Sequence, residues 1–541
     1  MTRDQTHFYD DVVFRLLLLS ICVLSFVTVV LDCGGYSDAL VVCIVGVTVE
    51  RNTRRFAAVA SVLLFALSHT SYSLPTSILS LSPLVWIWRM ETMGSSLQCM
   101  IESIVVGFAM CWLITGFVQP AIPPWGVVLR GAGCMVYSLQ IVGIASAIRC
   151  MHSIPIVWVA PPLAFIALTL EIVQAWLGLT WATTKPSLAI AATQIAQWSG
   201  LLTPFGLSSL IYLANFLIVP GSVGNWWFRW LGPLLGSFLT VFLWVGGMVI
   251  ESRIAVEPLP FTVLLAQPHV HFTAGGEWRP WNPLHRETLE SLQNCGTVDL
   301  IVWPETCLSD SPYTADPIPA SGSMAGDFEY QLTLQRFQQH LLPQYKTNCL
   351  LGVAMIAQGT TEKYGLTVPE THRFNCGCIV SPSASTYCHE KMILVPLKEG
   401  LPIWMQNEFV RQFILPFFQL QAPFMVGREF RPLKFDDRTG VTRTIAAAVC
   451  YESWHPWLPQ YNQTQPIDAI VYMMYDRDFI DHPELMERQL LSVRMRAIET
   501  RTWNLVCSCW RGTAIIDPRG RIVKQLPAIV GVLRSDQLES K

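Results

Sequence analysis

Three polar residues in the C-terminal half of this chain sit where apolar runs stop. Glu305 ends LIVWPET, Cys450 ends TIAAAVCYES, and Lys391 lies in YCHEKMILVP. A thiol attacks acyl carbons well only as the thiolate, so it needs a base to take its proton and a cation to stabilise the resulting charge. Glu305 has the chemistry of that base. Lys391 can stabilise both the thiolate and the oxyanion of a tetrahedral intermediate. Singly, each residue reads more simply as a buried cysteine, a helix-capping glutamate or a solvated lysine; the combination and its order carry the signal.

Side chains at strand ends open onto a cleft while the strands hold them rigid. Short apolar segments at 261–267, 298–303, 350–356, 374–380, 443–449 and 469–474 predict such strands, and Asp517-Pro518-Arg519-Gly520 predicts the turn of a hairpin over 504–523. Helical spacing of apolar residues predicts helices over 284–294, 329–341 and 484–502. This alternation predicts an α/β layered sandwich.

The motifs make the pattern specific. WPET (303–306), EKMILVPLKEGLP (390–402) and VCYES (449–453) resemble the Glu, Lys and Cys motifs of the carbon–nitrogen hydrolase, or nitrilase, superfamily, and RMRAIETR (494–501) and TAIIDPRGRI (513–522) resemble its later landmarks. Within it the chain is most similar to the apolipoprotein N-acyltransferase branch. EWRP (277–280) resembles its K-W-D-P segment, Asn375 in RFNCGCIV its Y-N-[ST]-A strand, and Lys391 and Glu399 keep its spacing. LEIVQAWLGLTW (170–181) and the segment 194–218 resemble its membrane motifs. The resemblance implies an α-β-β-α sandwich and a ping-pong reaction without cofactor or metal. Cys450 would carry an acyl chain from a phospholipid as a thioester and pass it to the α-amino group of a diacylglyceryl-cysteine at a lipoprotein N-terminus. It further implies Glu399 as a second carboxylate, Tyr451 as a backbone N–H donor to the oxyanion, Glu452 as a pocket support, and Trp278 and Asn375 as cleft residues.

The sequence departs from the branch in places. VPLKEGLP carries Lys398 where the branch has Gly, Tyr475-Asp476-Arg477-Asp478-Phe479 replaces N-D-x-W-F, and Cys507-Ser508-Cys509-Trp510-Arg511-Gly512 replaces A-[ST]-N-x-G. No apolar run matches the branch's last transmembrane helix before Lys541. These departures concern substrate contacts more than the triad. They leave open a membrane-tethered amidase, in which water resolves the thioester, and a catalytically weak scaffold.

The chain has 541 residues, 52% hydrophobic and only 14% charged, with a net charge of −3. The charge is low for a soluble domain and gives no basic stripe for nucleic acid. Residues 1–250 are mostly apolar and residues 251–541 hold most of the charge, which predicts a membrane domain followed by a globular one. Apolar runs at 12–31, 98–118, 127–148, 155–177, 201–219 and 229–250, with shorter ones at 38–49, 56–72 and 74–89, predict seven to nine spans. The first is too long for a signal-peptide core and reads as a retained anchor. Arg51, Arg54, Arg55, Arg89 and Arg229 fall cytoplasmic if the N-terminus does, so an odd number of spans puts the globular half outside, in the periplasm where an outer membrane exists. Glu171 interrupts one run, and an intramembrane carboxylate is costly enough to be a functional candidate. Of 16 cysteines, seven lie in apolar runs before residue 151, and the C-x-C pairs Cys376/Cys378 and Cys507/Cys509 have neither zinc-site nor disulfide-scaffold spacing.

Overall fold

The computed structural model describes residues 96–114, 126–176, 186–219, 226–268, 281–305, 342–363, 366–382, 387–395, 424–427, 429–455, 466–476, 483–527 and 531–537, with single positions between 60 and 85, 307, 339, 399 and 400 besides. Its contacts divide it into two compact units, the chain passing from the first to the second between Ser252 and Arg253.

The first unit is helical: α1 (Ser96–Ile114), α2 (Gly126–Cys150), α3 (Ile156–Trp176), α4 (Ser199–Leu217) and α5 (Trp226–Arg253). Four stretches, ending at Cys150, Ala175, Leu217 and Arg253, are long and apolar enough to cross a membrane. α1 is described for 19 residues, and only Ser103–Trp112 of it makes a shorter apolar helix. The expected runs at 12–31 and 38–49 and the arginines at 51, 54 and 55 lie outside the described residues, as do most of 56–72 and 74–89. Small residues allow close packing, as is common among membrane helices. A Cβ at Gly107 of α1 would meet Ser138 Cα of α2 at 2.7 Å.

Two features interrupt this apolar packing. Glu171 in α3 is buried and accepts the Ser208 hydroxyl of α4 at 3.2 Å, while Gln140 of α2 donates to the Tyr212 hydroxyl at 3.1 Å. The carboxylate is thus held by the neighbouring α4. α4 is also preceded by a 3₁₀ turn (Gln194–Trp198) and broken near its start by Thr203, at φ 61 and ψ 164, ahead of Pro204. Proline cannot donate there, and a β-branched residue at positive φ is strained. Gly246 and Gly247 of α5 let the turn approach, and the Trp198 indole donates to Leu243 O at 2.7 Å.

The second unit is built on two six-stranded sheets. The strands are β1 (Val263–Gln267), β2 (Leu300–Val302), β3 (Asn348–Lys363), β4 (Leu366–Val380), β5 (Tyr387–Glu390), β6 (Leu433–Asp436), β7 (Thr442–Val449), β8 (Ala469–Met474), β9 (Trp503–Ser508), β10 (Ala514–Ile516), β11 (Ile522–Gln525) and β12 (Gly531–Arg534). The orders are β12-β1-β2-β3-β4-β5 and β11-β10-β9-β8-β7-β6. The central trios, β1-β2-β3 and β7-β8-β9, are parallel, and the remaining pairings are antiparallel.

Period-two alternation explains the layering. Along β7, Ile445, Ala447 and Val449 pack between the sheets with Val263, Leu300, Val471 and Leu505. Ala446 and Ala448 face the other way, with Leu490, Val493 and Ala497 of α7 (Pro483–Thr500). On the outer face of the first sheet, Leu264, Ile301 and Cys349 form a core with Leu292 of α6 (Trp281–Cys295). The result is an α-β-β-α sandwich following a multi-span helical domain, the fold class expected from the sequence.

Strands expected at 261–267, 298–303, 443–449 and 469–474 end within two residues of β1, β2, β7 and β8. β3 and β4 run well beyond the expected 350–356 and 374–380, to a tip at Lys363 and Leu366. The expected helix at 329–341 lies almost wholly outside the described residues. Cys378 and Cys388, opposite each other in the β4–β5 ladder, form a disulfide, while Cys376 stays free.

Candidate active site

Each candidate catalytic group leaves the end of a strand. Glu305 follows β2, Lys391 follows β5, and Cys450 follows β7. The three come from both sheets, so only the sandwich brings them together.

Lys391 is the hub. Its side chain is 1% exposed, and Nζ lies 2.9 Å from Glu399 Oε1 and 3.2 Å from Glu305 Oε1. Burial alone would lower the lysine pKa, but the two carboxylates outweigh it and hold the ammonium well above its ordinary value. Asn375 in β4 braces the same carboxylates, its Nδ2 donating to Glu305 Oε1 at 2.7 Å and to Glu399 Oε1 at 3.0 Å. Glu399 is held in turn by the Val395 N–H on Oε2 at 2.8 Å. Glu305 Oε2 is buried and has no hydrogen-bond donor among the described residues. That oxygen is free to take a proton.

The backbone around these groups is fitted closely. Lys391 N–H donates to Asn375 O and Gly427 N–H donates to Lys391 O, both at 2.8 Å. Gly352 of β3 lies against the segment bearing Glu305, where an added Cβ would be 2.3 Å from Pro304 O and 2.5 Å from Glu305 Cα. Cys307 Sγ donates to Gly352 O at 3.2 Å from the same segment.

Cys450 opens a 3₁₀ turn (Cys450–Trp454) and has φ 48. A left-handed cysteine costs on the order of 1–2 kcal/mol and persists only where its surroundings impose it. Here Glu452 imposes it. Its fully buried carboxylate accepts the Val449 N–H at 2.7 Å, just before Cys450, and the Met392 N–H at 2.7 Å, just after Lys391. His389 Nε2 stands 3.5 Å from the same carboxylate. Burial alone would raise the Glu452 pKa; His389 and the amides more than offset it and hold the group below the usual range. Helix α7 props the far end of the turn, with Ser492 Oγ donating to Ser453 O at 2.7 Å and Arg496 Nη1 to His455 O at 3.3 Å. The Arg496 contact is what the RMRAIETR segment contributes to the site.

Burial, and next the Glu305 charge, push the Cys450 thiol far above its ordinary pKa; Lys391 and a Tyr475 backbone N–H on the sulfur pull the other way without prevailing. Cys450 therefore rests as a thiol. Attack needs its proton removed as the bond forms, and the free oxygen of Glu305 fits that task.

Of the residues singled out from the sequence, Glu305, Lys391, Glu399 and Asn375 are joined by hydrogen bonds, Cys450 lies in their field, and Glu452 ties the Cys450 turn to the Lys391 segment. The half-buried Tyr451 packs its ring against His455, with centroids 5.0 Å apart. Trp278, Lys398 and Arg477 lie outside the described residues. Gly352, Gly427, His389 and the Tyr475 N–H were not legible in the sequence. Each acts across segments distant in the chain.

Residues 267–533 match the family model described as carbon-nitrogen hydrolase. Among curated proteins, an apolipoprotein N-acyltransferase from Pseudomonas aeruginosa (strain LESB58) is 25% identical over 317 residues, covering 56% of this chain and 53% of that protein. Another, from Azotobacter vinelandii, is 24% identical over 308 residues, covering 54% and 51%. The chain spans about half the length of the curated relatives it matches. Among solved structures, Saccharomyces cerevisiae Nit3, of the nitrilase superfamily, is 14% identical with a TM-score of 0.35, covering 52% of this chain and 92% of that one. The family match and the two packed sheets agree: residues 267–533 form a domain of the carbon-nitrogen hydrolase kind, and the chain is similar to the apolipoprotein N-acyltransferases.

Proposed function

We propose that this chain is a membrane-embedded N-acyltransferase. It would move an acyl chain from a phospholipid, through a thioester on Cys450, to the α-amino group of a diacylglyceryl-cysteine at a lipoprotein N-terminus. The observation that carries the chemistry is the buried Lys391 ammonium shared by Glu305 and Glu399, facing a cysteine held in a left-handed turn. Similarity to named apolipoprotein N-acyltransferases and a preceding unit of membrane-length helices support the choice of substrates.

In the first half-reaction the Cys450 proton passes to Glu305 Oε2 as sulfur attacks the sn-1 ester carbonyl. The oxyanion rests on Lys391 Nζ, and the Tyr451 N–H is its second donor. Collapse breaks the ester C–O bond, and the leaving lysophospholipid oxygen takes the proton from Glu305. In the second, Glu305 takes a proton from the incoming amine, the C–N bond forms, the C–S bond breaks, and the thiolate recovers the proton. The globular unit faces away from the cytoplasm, in the periplasm where there is one. The Cys378–Cys388 disulfide supports that side, since such bonds persist in oxidising compartments.

The test loads the purified protein with labelled phospholipid, then adds a diacylated lipopeptide or buffer alone. The expected result is a thioester on Cys450 that the lipopeptide clears much faster than buffer does. Equal discharge by buffer makes the protein an amidase-type hydrolase. Failure to form any thioester leaves the scaffold reading.

A further inference from the structure

Asp476 follows β8, and its carboxylate is fully buried. Four donors from one short loop converge on it: Ser508 Oγ at 2.5 Å and Arg511 N–H at 3.0 Å on Oδ2, Trp510 N–H at 2.9 Å and Cys509 Sγ at 3.1 Å on Oδ1. Burying a carboxylate so far from water is costly, and burial does push its pKa above the usual range despite those donors. The mechanism above does not use this group.

Its neighbours show what it organises. The peptide unit between Met474 and Tyr475 has two ends. Its carbonyl accepts the Cys509 N–H at 3.1 Å, and its N–H points to the Cys450 sulfur. A peptide plane is rigid, so fixing the carbonyl aims the N–H. The residue that fixes the carbonyl, Cys509, belongs to the loop closed around Asp476.

We propose that Asp476 is a positioning residue for the nucleophile: by closing the 508–511 loop it sets the Met474–Tyr475 peptide so that the Tyr475 N–H donates to the Cys450 sulfur. The donor stabilises the thiolate as it forms in acylation and as it departs in transfer. The inference rests on Cys450 being the nucleophile and not on the identity of the acyl donor or acceptor. It also assigns a role to the divergent segment Cys507–Gly512. Ser508 and Cys509 supply side-chain donors there, and an S–H is the weakest of the four.

The experiment uses the full chain in detergent and two readouts. One is the rate of Cys450 alkylation by iodoacetamide across pH, read by mass spectrometry; the other is thioester formation from labelled phospholipid. Asp476→Asn puts an amide NH₂ against donors that need an acceptor. It is expected to slow Cys450 alkylation about tenfold at pH values below the thiol midpoint, equivalent to a rise of about one pKa unit. Thioester formation should fall at least as far. Ser508→Ala, which removes one donor, should shift alkylation in the same direction by less. An Asp476→Asn protein that folds and alkylates like wild type overturns the inference even if its activity falls, because a merely structural role leaves the thiol unchanged. If Asp476→Asn does not fold, an unmoved alkylation profile in Ser508→Ala overturns it instead. Absence of any phospholipid-derived thioester in the wild type would sink the acyltransferase reading alone, since the alkylation arm needs no lipid.

Discussion

Gly352→Ala tests how far the site depends on the sheet beneath it. An alanine Cβ there would lie 2.3 Å from Pro304 O and 2.5 Å from Glu305 Cα, both backbone atoms, where ordinary contact begins at 3.4 Å. Relief requires about 1 Å of movement, and neither partner is the free end of a flexible side chain. Glu305 Oε1 is held at 2.7 Å by Asn375 and 3.2 Å by Lys391, so a shift of that size stretches at least one bond past hydrogen-bonding range. Misplacing a reacting group by about 1 Å costs roughly 10²-fold in rate, equivalent to about 2.7 kcal/mol of barrier. The assay is single-turnover thioester formation at saturating phospholipid, with thermal unfolding measured alongside. The expected outcome is acylation slowed roughly 10²-fold in a protein that still folds and still alkylates at Cys450. Acylation at the wild-type rate would show that the Glu305 backbone position does not matter, and the argument from close packing would fail.

Two further predictions follow from charge and from the disulfide. The Glu305 charge raises the Cys450 pKa, so Glu305→Gln should lower it and speed alkylation at a given pH below the midpoint, while loss of the general base slows acylation by about 10²- to 10⁴-fold; acylation at the wild-type rate would refute the base assignment. The Cys378–Cys388 bond spans a sequence separation of 10, for which loop entropy gives about 3 kcal/mol of stability. In intact cells both thiols should resist trapping until reduced, and the double change to serine should lower the unfolding midpoint; free trapping of both would refute both the pairing and the extracytoplasmic placement.

The sequence disclosed most where one segment's own pattern decides its state. TRTIAAAV reads as a buried strand because its apolar run is continuous, and Asp517-Pro518-Arg519-Gly520 reads as a turn because Gly520 must adopt φ +77. β5 (YCHE) was invisible, being four residues without alternation, and its place depends on pairing with β4. The polar tips of β3 and β4, GTTEK and LTVPETH, likewise carry no core-facing period, so the sheet is longer than its apolar centre. Cys378 could not be matched to Cys388 without the register that sets them opposite. The triad was legible because Glu305 and Cys450 each end an apolar run and Lys391 sits in a recognisable motif between them. Gly352 and Asp476 were not, because what they touch lies 45 or more and 30 or more residues away in the chain.

The sharing of Lys391 between two glutamates has a consequence for which nucleophiles the acylated protein admits. Counted formally, the cluster holds two acidic side chains against one ammonium, a surplus of one negative charge in a site where Lys391 and Glu305 are almost entirely withdrawn from solvent. The resting thiol and the thioester sulfur are both uncharged, so the surplus persists when Cys450 is acylated. An alkylammonium group is drawn toward such a field and can give up its proton to a carboxylate there, whereas neutral water gains no such attraction, and low permittivity sharpens the difference. The pair Glu305–Glu399 would thus act as an electrostatic filter on the waiting thioester, favouring aminolysis over hydrolysis before any contact with the rest of the acceptor is made.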